Sequence, residues 1–424
     1  MKYNRYELGS YNLHIIKTDQ FKTVNMRIMF KSEAKKEELN FRSFLSYILL
    51  ESSKNYPTRR DLEIKCEDLY ALALNSRPFI SGNYALLSFD ATFLNDKYTE
   101  DGLFKQVFEF IWDLLTNPKV SDNKFDPDLF SSVKENVISE IKSIQEMPDY
   151  YAEKELFKLI GKDTPISFSD EGDLDTIDNV NPTNLYEYYL NFLKSSVIDI
   201  FVVGDLNDLE VKKAIQSVMS VNTLKKPTKS HYIEHDKVRS RARIITKKGN
   251  YKQSRLLVGY KLKDLTDFEK QYVLPCYNYI LGGSADSKLF KSIREKHSLC
   301  YNVSSRYITL ANLIVIKAGI KAESYKKTVN LMRKEVKNME KGLFSDEDVS
   351  KAKSILLNSY EEIEDSPVGL VSMYMLHEYL NKDLLDKRMK EVNKVTTEMV
   401  MEVAKKIHLD TIYFLEGKSN GKKN

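Results

Sequence analysis

One stretch of this chain is written twice. Residues 13–31 read LHIIKTDQFKTVNMRIMFK and residues 243–260 read RIITKKGNYKQSRLLVGY. Each has an Ile pair (Ile15 and Ile16; Ile244 and Ile245), a polar turn, an aromatic (Phe21; Tyr251) and then a second apolar run. In the first copy Val24, Met26, Ile28 and Phe30 recur at every second position, the period of a half-buried strand. The offset is about 229 positions, and self-similarity at a fixed distance constrains a fold more than any local propensity.

The repeat continues on both sides. Apolar helical stretches follow at 41–53 (FRSFLSYILLESS) and 269–281 (EKQYVLPCYNYIL), then second helices at about 58–70 and 286–297. Strand pairs are predicted at 72–82 and 84–93, and at 300–308 and 311–320, with LSFDATF and LIVIKAGI as inner strands. Long amphipathic helices follow, including 128–146 and 149–160, then 323–341 and 345–363. Each half ends in a strand, VIDIFVVGD at 197–205 and DTIYFLEG at 410–417. This order predicts an α+β fold: two tandem homologous domains, each a mainly antiparallel or mixed sheet covered by helices on one face. The expected domains are 1–222 and 238–424, joined by a linker at 223–237 that contains Pro227. From Thr223 to Arg255 there are eleven Lys or Arg against Glu234 and Asp236, a local net of +9 that leaves −5 for the rest of the chain. Such a segment suits a solvated connector or an acidic partner surface. The tail KSNGKKN reads as disordered.

Composition removes several function classes. The net charge of +4 is too small for a general nucleic-acid coat. No apolar run nears the roughly 18 residues of a membrane span, and the first residues lack the apolar core of a signal peptide. Three cysteines, Cys66, Cys276 and Cys300, contain no Cys-x-x-Cys, which argues against a disulfide scaffold or a thiolate zinc site and for a reducing, cytoplasmic setting. Gly282-Gly283 lacks the Lys-Ser/Thr that completes a phosphate loop.

The most specific text is YNYILGGSADSKLFKSIREKHSLCYNVSS, 277–305. Its Gly-Gly turn, Ser287-x-Leu289-Phe290, Arg294-Glu295, Leu299 and Tyr301 resemble the carboxyl-side domain of the M16 metallopeptidases, the pitrilysin and mitochondrial-processing-peptidase group. GLFSDEDVSKAKSILLNSY at 342–360, KNYPT at 54–58 and VVGDL at 202–206 extend the resemblance over nearly the whole chain. It implies the LuxS/MPP-like metallohydrolase fold.

Active members of that family carry His-x-x-Glu-His on the first long helix. Two His four apart share a helical face and ligate Zn²⁺, while the Glu acts as general base on the bound water. Counting back from Tyr56-Pro57 places the motif on Ser43-Phe44-Leu45-Ser46-Tyr47, where all three chemical residues are absent. The third ligand falls on Glu140, which survives alone. His231-Tyr232-Ile233-Glu234-His235 spells the motif, yet it lies in the linker, just after Pro227 and before strand-like VRSRARII. The corresponding later stretch, 306–320, offers no Glu. It reads as a chance match.

The resemblance gives Arg294 and Tyr301 a different role. Their counterparts project into a central chamber and hold substrate carbonyls, a task suited to a rigid guanidinium fork and a phenol donor. The competing expectation is a surface ion pair for Arg294 and strand packing for Tyr301. With its zinc positions replaced and this pair kept, the chain is similar to the inactive member of small bacterial M16 pairs, including the pair named for association with elongation factor P modification. The implied function is a non-catalytic, substrate-gripping subunit of a heterodimeric zinc peptidase. No catalytic residue, metal or cofactor is expected in this chain, and zinc is expected in the partner chain. The expected partners are a peptide substrate and that M16 chain, with no nucleic acid and no membrane. In isolation the apolar stretch 41–53 and the basic linker offer surfaces for a homodimer. The alternative is a peptidase-independent peptide-binding or scaffold protein of the same fold.

Overall fold

Apolar alternation at Val24, Met26, Ile28 and Phe30 buries one complete face of a strand, and that strand organises the first half. The computed structural model describes residues 1–219, 229–235 and 237–418. Residues 223–228 and 236 of the expected linker, and the tail after Lys418, fall outside the described residues.

In chain order the elements are β1 (Lys2–Glu7), β2 (Asn12–Lys17), β3 (Thr23–Glu33), α1 (Leu39–Ile48), α2 (Arg59–Asp68), β4 (Ala73–Ser81), β5 (Tyr84–Leu94) and α3 (Leu103–Thr116). A short hairpin of β6 (Val120–Ser121) and β7 (Lys124–Phe125) leads into α4 (Pro127–Glu146), α5 (Pro148–Ile160), α6 (Pro182–Ser195), β8 (Val197–Gly204) and α7 (Asp208–Val218). The second half holds β9 (Arg243–Lys248), β10 (Ser254–Leu262) and α8 (Leu274–Asn278), the last extended by wider, π-helical turns at Glu269–Val273 and Tyr279–Gly283. A further π-helical segment, Phe290–Lys296, precedes β11 (Cys300–Ile308) and β12 (Leu313–Ile320). Then come α9 (Tyr325–Glu340), α10 (Asp346–Glu364), α11 (Pro367–Leu380), α12 (Leu385–Val392), α13 (Thr397–Ala404) and β13 (Ile407–Glu416).

Two compact units form. The first takes Met1–Ser143, the described part of Phe168–Ser230, and Ile363–Leu376. The second takes Ile144–Ser167, His231–Glu362 and the described residues from His377 onward. Their sheets repeat one topology: β2-β8-β3-β5-β4 in the first is matched by β9-β13-β10-β12-β11 in the second. In both, the closing strand runs parallel to the opening one (β8 with β2, β13 with β9) and antiparallel to its other neighbour. The first sheet adds β1, antiparallel on β2.

In the first unit the helices bury one sheet face. Phe30 packs on Phe192 and Phe44 on Phe130, each pair with ring centroids 4.9 Å apart. Local chemistry starts these helices: Thr58 and Asp61 form a capping box for α2, and Asn181 and Asn184 form one for α6 with Pro182 at its first turn. The other face is polar and still buried. Lys31 Nζ lies 3.5 Å from Asp199 on β8, Arg27 pairs with Asp90 on β5, and Tyr374 of α11 stacks on Tyr3 at 4.2 Å.

The second unit has the same two-sided plan. Phe414 packs on Tyr325 of α9 on one face. Leu257, Tyr413 and Leu415 face Ala152, Leu156 and Ile160 of α5 on the other. A Cβ on Gly259 of β10 would come within 2.4 Å of Ile160, so a bare backbone lets α5 settle on this sheet. The buried pair recurs: Lys261 Nζ and Arg239 Nε each lie 3.3 Å from Asp410.

Lys31→Met removes the lysine from buried Asp199, leaving Asn12 and His14 beside the carboxylate, and is expected to cost about 3 kcal/mol in denaturant unfolding. Adding Asp199→Leu is expected to recover part of that loss, which a double-mutant cycle measures.

Candidate functional site

The first helix shows what stands at the expected catalytic positions. Phe44, Leu45 and Ile48 turn inward at helical spacing, which leaves 43, 46 and 47 near the next face. The Ser43 hydroxyl donates to the Glu171 carbonyl at 2.7 Å and Ser46 donates to the Ser43 carbonyl at 2.7 Å. The Tyr47 hydroxyl donates to Glu140 Oε2, on α4, at 2.7 Å. Burial, and then that carboxylate, push the Tyr47 phenol far above its ordinary range and hold it protonated.

A strap of chain at 170–173 covers this helix. Asn40 fixes it, donating to the Asp173 carbonyl at 3.0 Å and accepting from the Asp173 amide at 2.8 Å. Gly172 has φ +107°, and a Cβ there would meet Asn40 Oδ1 at 2.2 Å, so only glycine lets the strap lie this close. Zinc takes thiolate, imidazole or carboxylate ligands. Here one carboxylate stands beside a neutral phenol and two hydroxyls bonded to carbonyls. The residues do not fit a zinc ion.

His231, Glu234 and His235 do not share a helical face, because 231–235 is irregular chain. His231 stacks on Tyr379, Glu234 is exposed, and the His235 Nε2–H donates to the Ala311 carbonyl at 2.5 Å. Among the described residues no three His, Cys, Asp or Glu side chains converge as metal ligands.

Arg294 and Tyr301 are brought together. Ile293 anchors the π-helical segment in the core, and the next residue, Arg294, emerges half-buried. Its guanidinium carbon lies 4.5 Å from the Phe290 ring centroid and 5.2 Å from that of Tyr301. Among the described residues Arg294 makes no ion pair, and Tyr301 is 81% exposed. Phe290, one helical turn before Arg294, completes the arrangement; the Ser-x-Leu-Phe signal contained it without revealing its contact. Beside them, burial pushes the Cys300 thiol up to about 11 against the opposing pull of Arg294, so it is a poor nucleophile near neutral pH.

The Gly-Gly pair is not a left-handed turn. Gly282 and Gly283 end a helical stretch, and their value is small size. A Cβ on Gly282 would sit 2.8 Å from the Ser305 amide nitrogen of β11. Helix and strand therefore touch backbone to backbone, which sets the distance between the Arg294 segment and the Tyr301 strand.

Both β4 and β11 end their sheets, and no described strand pairs with their outer edges. Two cavities flank β4. One, of about 410 Å³, opens between Leu74 and Ser76 of β4 and helices α1 and α2. The other, of about 340 Å³, lies on the opposite sheet face, beside Asn75, Arg77 and α11. No described helix is long and apolar enough to cross a membrane.

Burial lowers the affinity of His235 for a proton, so folding favours its neutral form. That contribution is complete above about pH 6.5 and is lost as pH falls below it, because the unfolded chain then binds the proton more readily. His235→Gln keeps a donor for the Ala311 carbonyl. Thermal unfolding at pH 7.5 and 5.5 is expected to show a smaller acid-induced drop for this variant than for the parent chain.

Comparison with known proteins shows what the chain is similar to. A sequence family described as "Peptidase M16 inactive domain" matches residues 179–356. The chain is 26% identical over 415 residues to the "Probable inactive metalloprotease YmfF" of Bacillus subtilis, covering 96% of each. It is 23% identical over 287 residues to the "Uncharacterized zinc protease YmxG" of the same organism, covering 67% of this chain and 69% of that one. The crystal structure of a conserved protein from Enterococcus faecalis superposes with a TM-score of 0.92 at 23% identity, covering 99% and 100% of the two chains, and has the same fold. Residues 179–356 match the inactive domain of the M16 peptidases, and over nearly its whole length the chain is similar to a probable inactive metalloprotease.

Proposed function

We propose that this chain is the substrate-gripping, non-catalytic subunit of a two-chain M16 zinc peptidase. The observation that carries the reading is the Arg294 and Tyr301 pair. A phenol 81% exposed, beside a guanidinium held by two rings and without an ion pair among the described residues, is available to peptide carbonyls. At 43–47, by contrast, the hydroxyls are turned to backbone carbonyls and Glu140, as in a zinc site that has been abandoned. A chain that holds peptide but lacks a water-activating centre needs that centre from elsewhere. Bacillus subtilis has relatives bearing both names, one a probable inactive metalloprotease and one a zinc protease, which supports a division of labour between two chains. The peptide would bind extended, adding main-chain hydrogen bonds to a free sheet edge. The low use of cysteine favours a cytoplasmic setting.

The test combines the purified chain with a zinc-bearing M16 chain from its own source and follows cleavage of an unstructured peptide. Cleavage is expected only with both chains. Arg294→Ala is expected to lower kcat/KM about tenfold or more, and Tyr301→Phe by less, with circular dichroism unchanged. Full cleavage with Arg294→Ala overturns the gripping role, and chelator-sensitive cleavage by this chain alone overturns the non-catalytic one.

A further inference from the structure

The outer edge of β4 ahead of Pro78 lies between two cavities of different charge, and that difference selects a peptide. Beyond it the Ile80 N–H already donates to Asp170 Oδ1 at 2.8 Å. Alternate residues of a strand point to opposite faces, so a peptide strand laid on β4 sends neighbouring side chains to opposite sides. On the helix side the cavity walls are Leu50, Leu62, Leu72, Leu74 and Leu114, and its charged groups are Glu51, Glu63, Glu67 and Arg59. Arg59 is bonded to Glu51 and Glu63, and Glu67 has no ion pair among the described residues. A leucine-lined slot with a spare carboxylate at its rim suits a long aliphatic stem with a cationic end. On the other face the charged groups are Arg27, Arg77 and Asp90. Arg27 is paired with Asp90. Arg77 is exposed, lies over the Phe79 ring at 5.5 Å, and has no ion pair among the described residues. Asn25, Asn75 and Thr92 add hydrogen-bonding groups. This side suits a carboxylate.

We infer that β4 accepts extended peptides in which a lysine or arginine is followed or preceded directly by an aspartate or glutamate. The basic side chain enters the slot between α1 and α2, and the acidic one meets Arg77. The inference rests on the peptide-holding reading and names its preferred peptide.

The test uses the full chain and four fluorescein-labelled peptides that share the frame Thr-Val-x-x-Val-Thr. Their central pairs are Lys-Glu, Lys-Lys, Glu-Glu and Thr-Thr, and binding is followed by fluorescence anisotropy at about 50 mM salt, where screening is weak. The Lys-Glu peptide is expected to bind about fivefold tighter than the Thr-Thr peptide and than either like-charged peptide, the scale of exposed charge pairs. Glu67→Gln is expected to remove the preference for lysine, and Arg77→Gln the preference for glutamate. Both residues are exposed, so both variants are expected to fold. A Lys-Glu peptide N-methylated at alternate backbone nitrogens is expected not to bind. Equal binding of all four peptides, abolished by N-methylation, overturns the charge preference and leaves peptide holding in place. No binding by any peptide overturns both.

Discussion

Each sheet encloses a lysine and an aspartate largely shielded from water, and the two sheets are built around these pairs. Lys31 with Asp199 joins β3 to β8, and Lys261 with Asp410 joins β10 to β13. A charge removed from water is costly unless it is paired, so such a pair specifies which strands lie side by side more than it adds stability. Slipping either strand by one residue would turn its charge to the opposite face and leave both groups unpartnered. The same constraint, placed twice, accounts for two sheets with one topology despite little identity between the halves.

With the sheets in register, the edges follow. β4 and β11 end their sheets because the chain enters each from a helical segment and turns back from it into the next strand inward, and each brings a different surface to its edge. Beside β4 the hydroxyl-bearing face of α1 is tied to the strap at 170–173 and to Glu140. Beside β11 the side chains of Arg294 and Tyr301 are turned outward. Positions 43, 46 and 47 are satisfied by ordinary hydrogen bonds and the core is packed by their neighbours, so this helix keeps its place with no metal ion among those side chains.

Much of this was legible in the sequence, for physical reasons. The strand pairs at 13–31 and 243–260 were plain because alternation with period two admits one interpretation. β1 was not singled out, since Lys2–Glu7 has no residue the core fully buries and so no strong apolar signal. α4 and α5 were legible as amphipathic helices. The apolar stripe of α5 states that one face is buried but not against which sheet, so its place on β10 and β13 required coordinates. At the site, family resemblance named Arg294 and Tyr301, and the geometry added Phe290 as the ring that steadies the guanidinium. The Gly282-Gly283 pair was read as a turn because glycine commonly marks one, whereas here the demand is for an absent Cβ against Ser305. The strap at 170–173 was invisible because its acidic, serine-rich text resembles any loop, and only the φ of Gly172 shows how closely it lies on α1.

The helix α5 sits on the sheet of the second unit while its sequence belongs to the first half of the gene. A polypeptide begun after the midpoint would leave Leu257, Leu313, Tyr413 and Leu415 without their cover. Such a fragment would expose an apolar sheet face that the whole chain covers. Whatever ancestral duplication produced the two halves, the descendants can no longer be separated by scissors at the middle, because each has lent the other a piece of its interior.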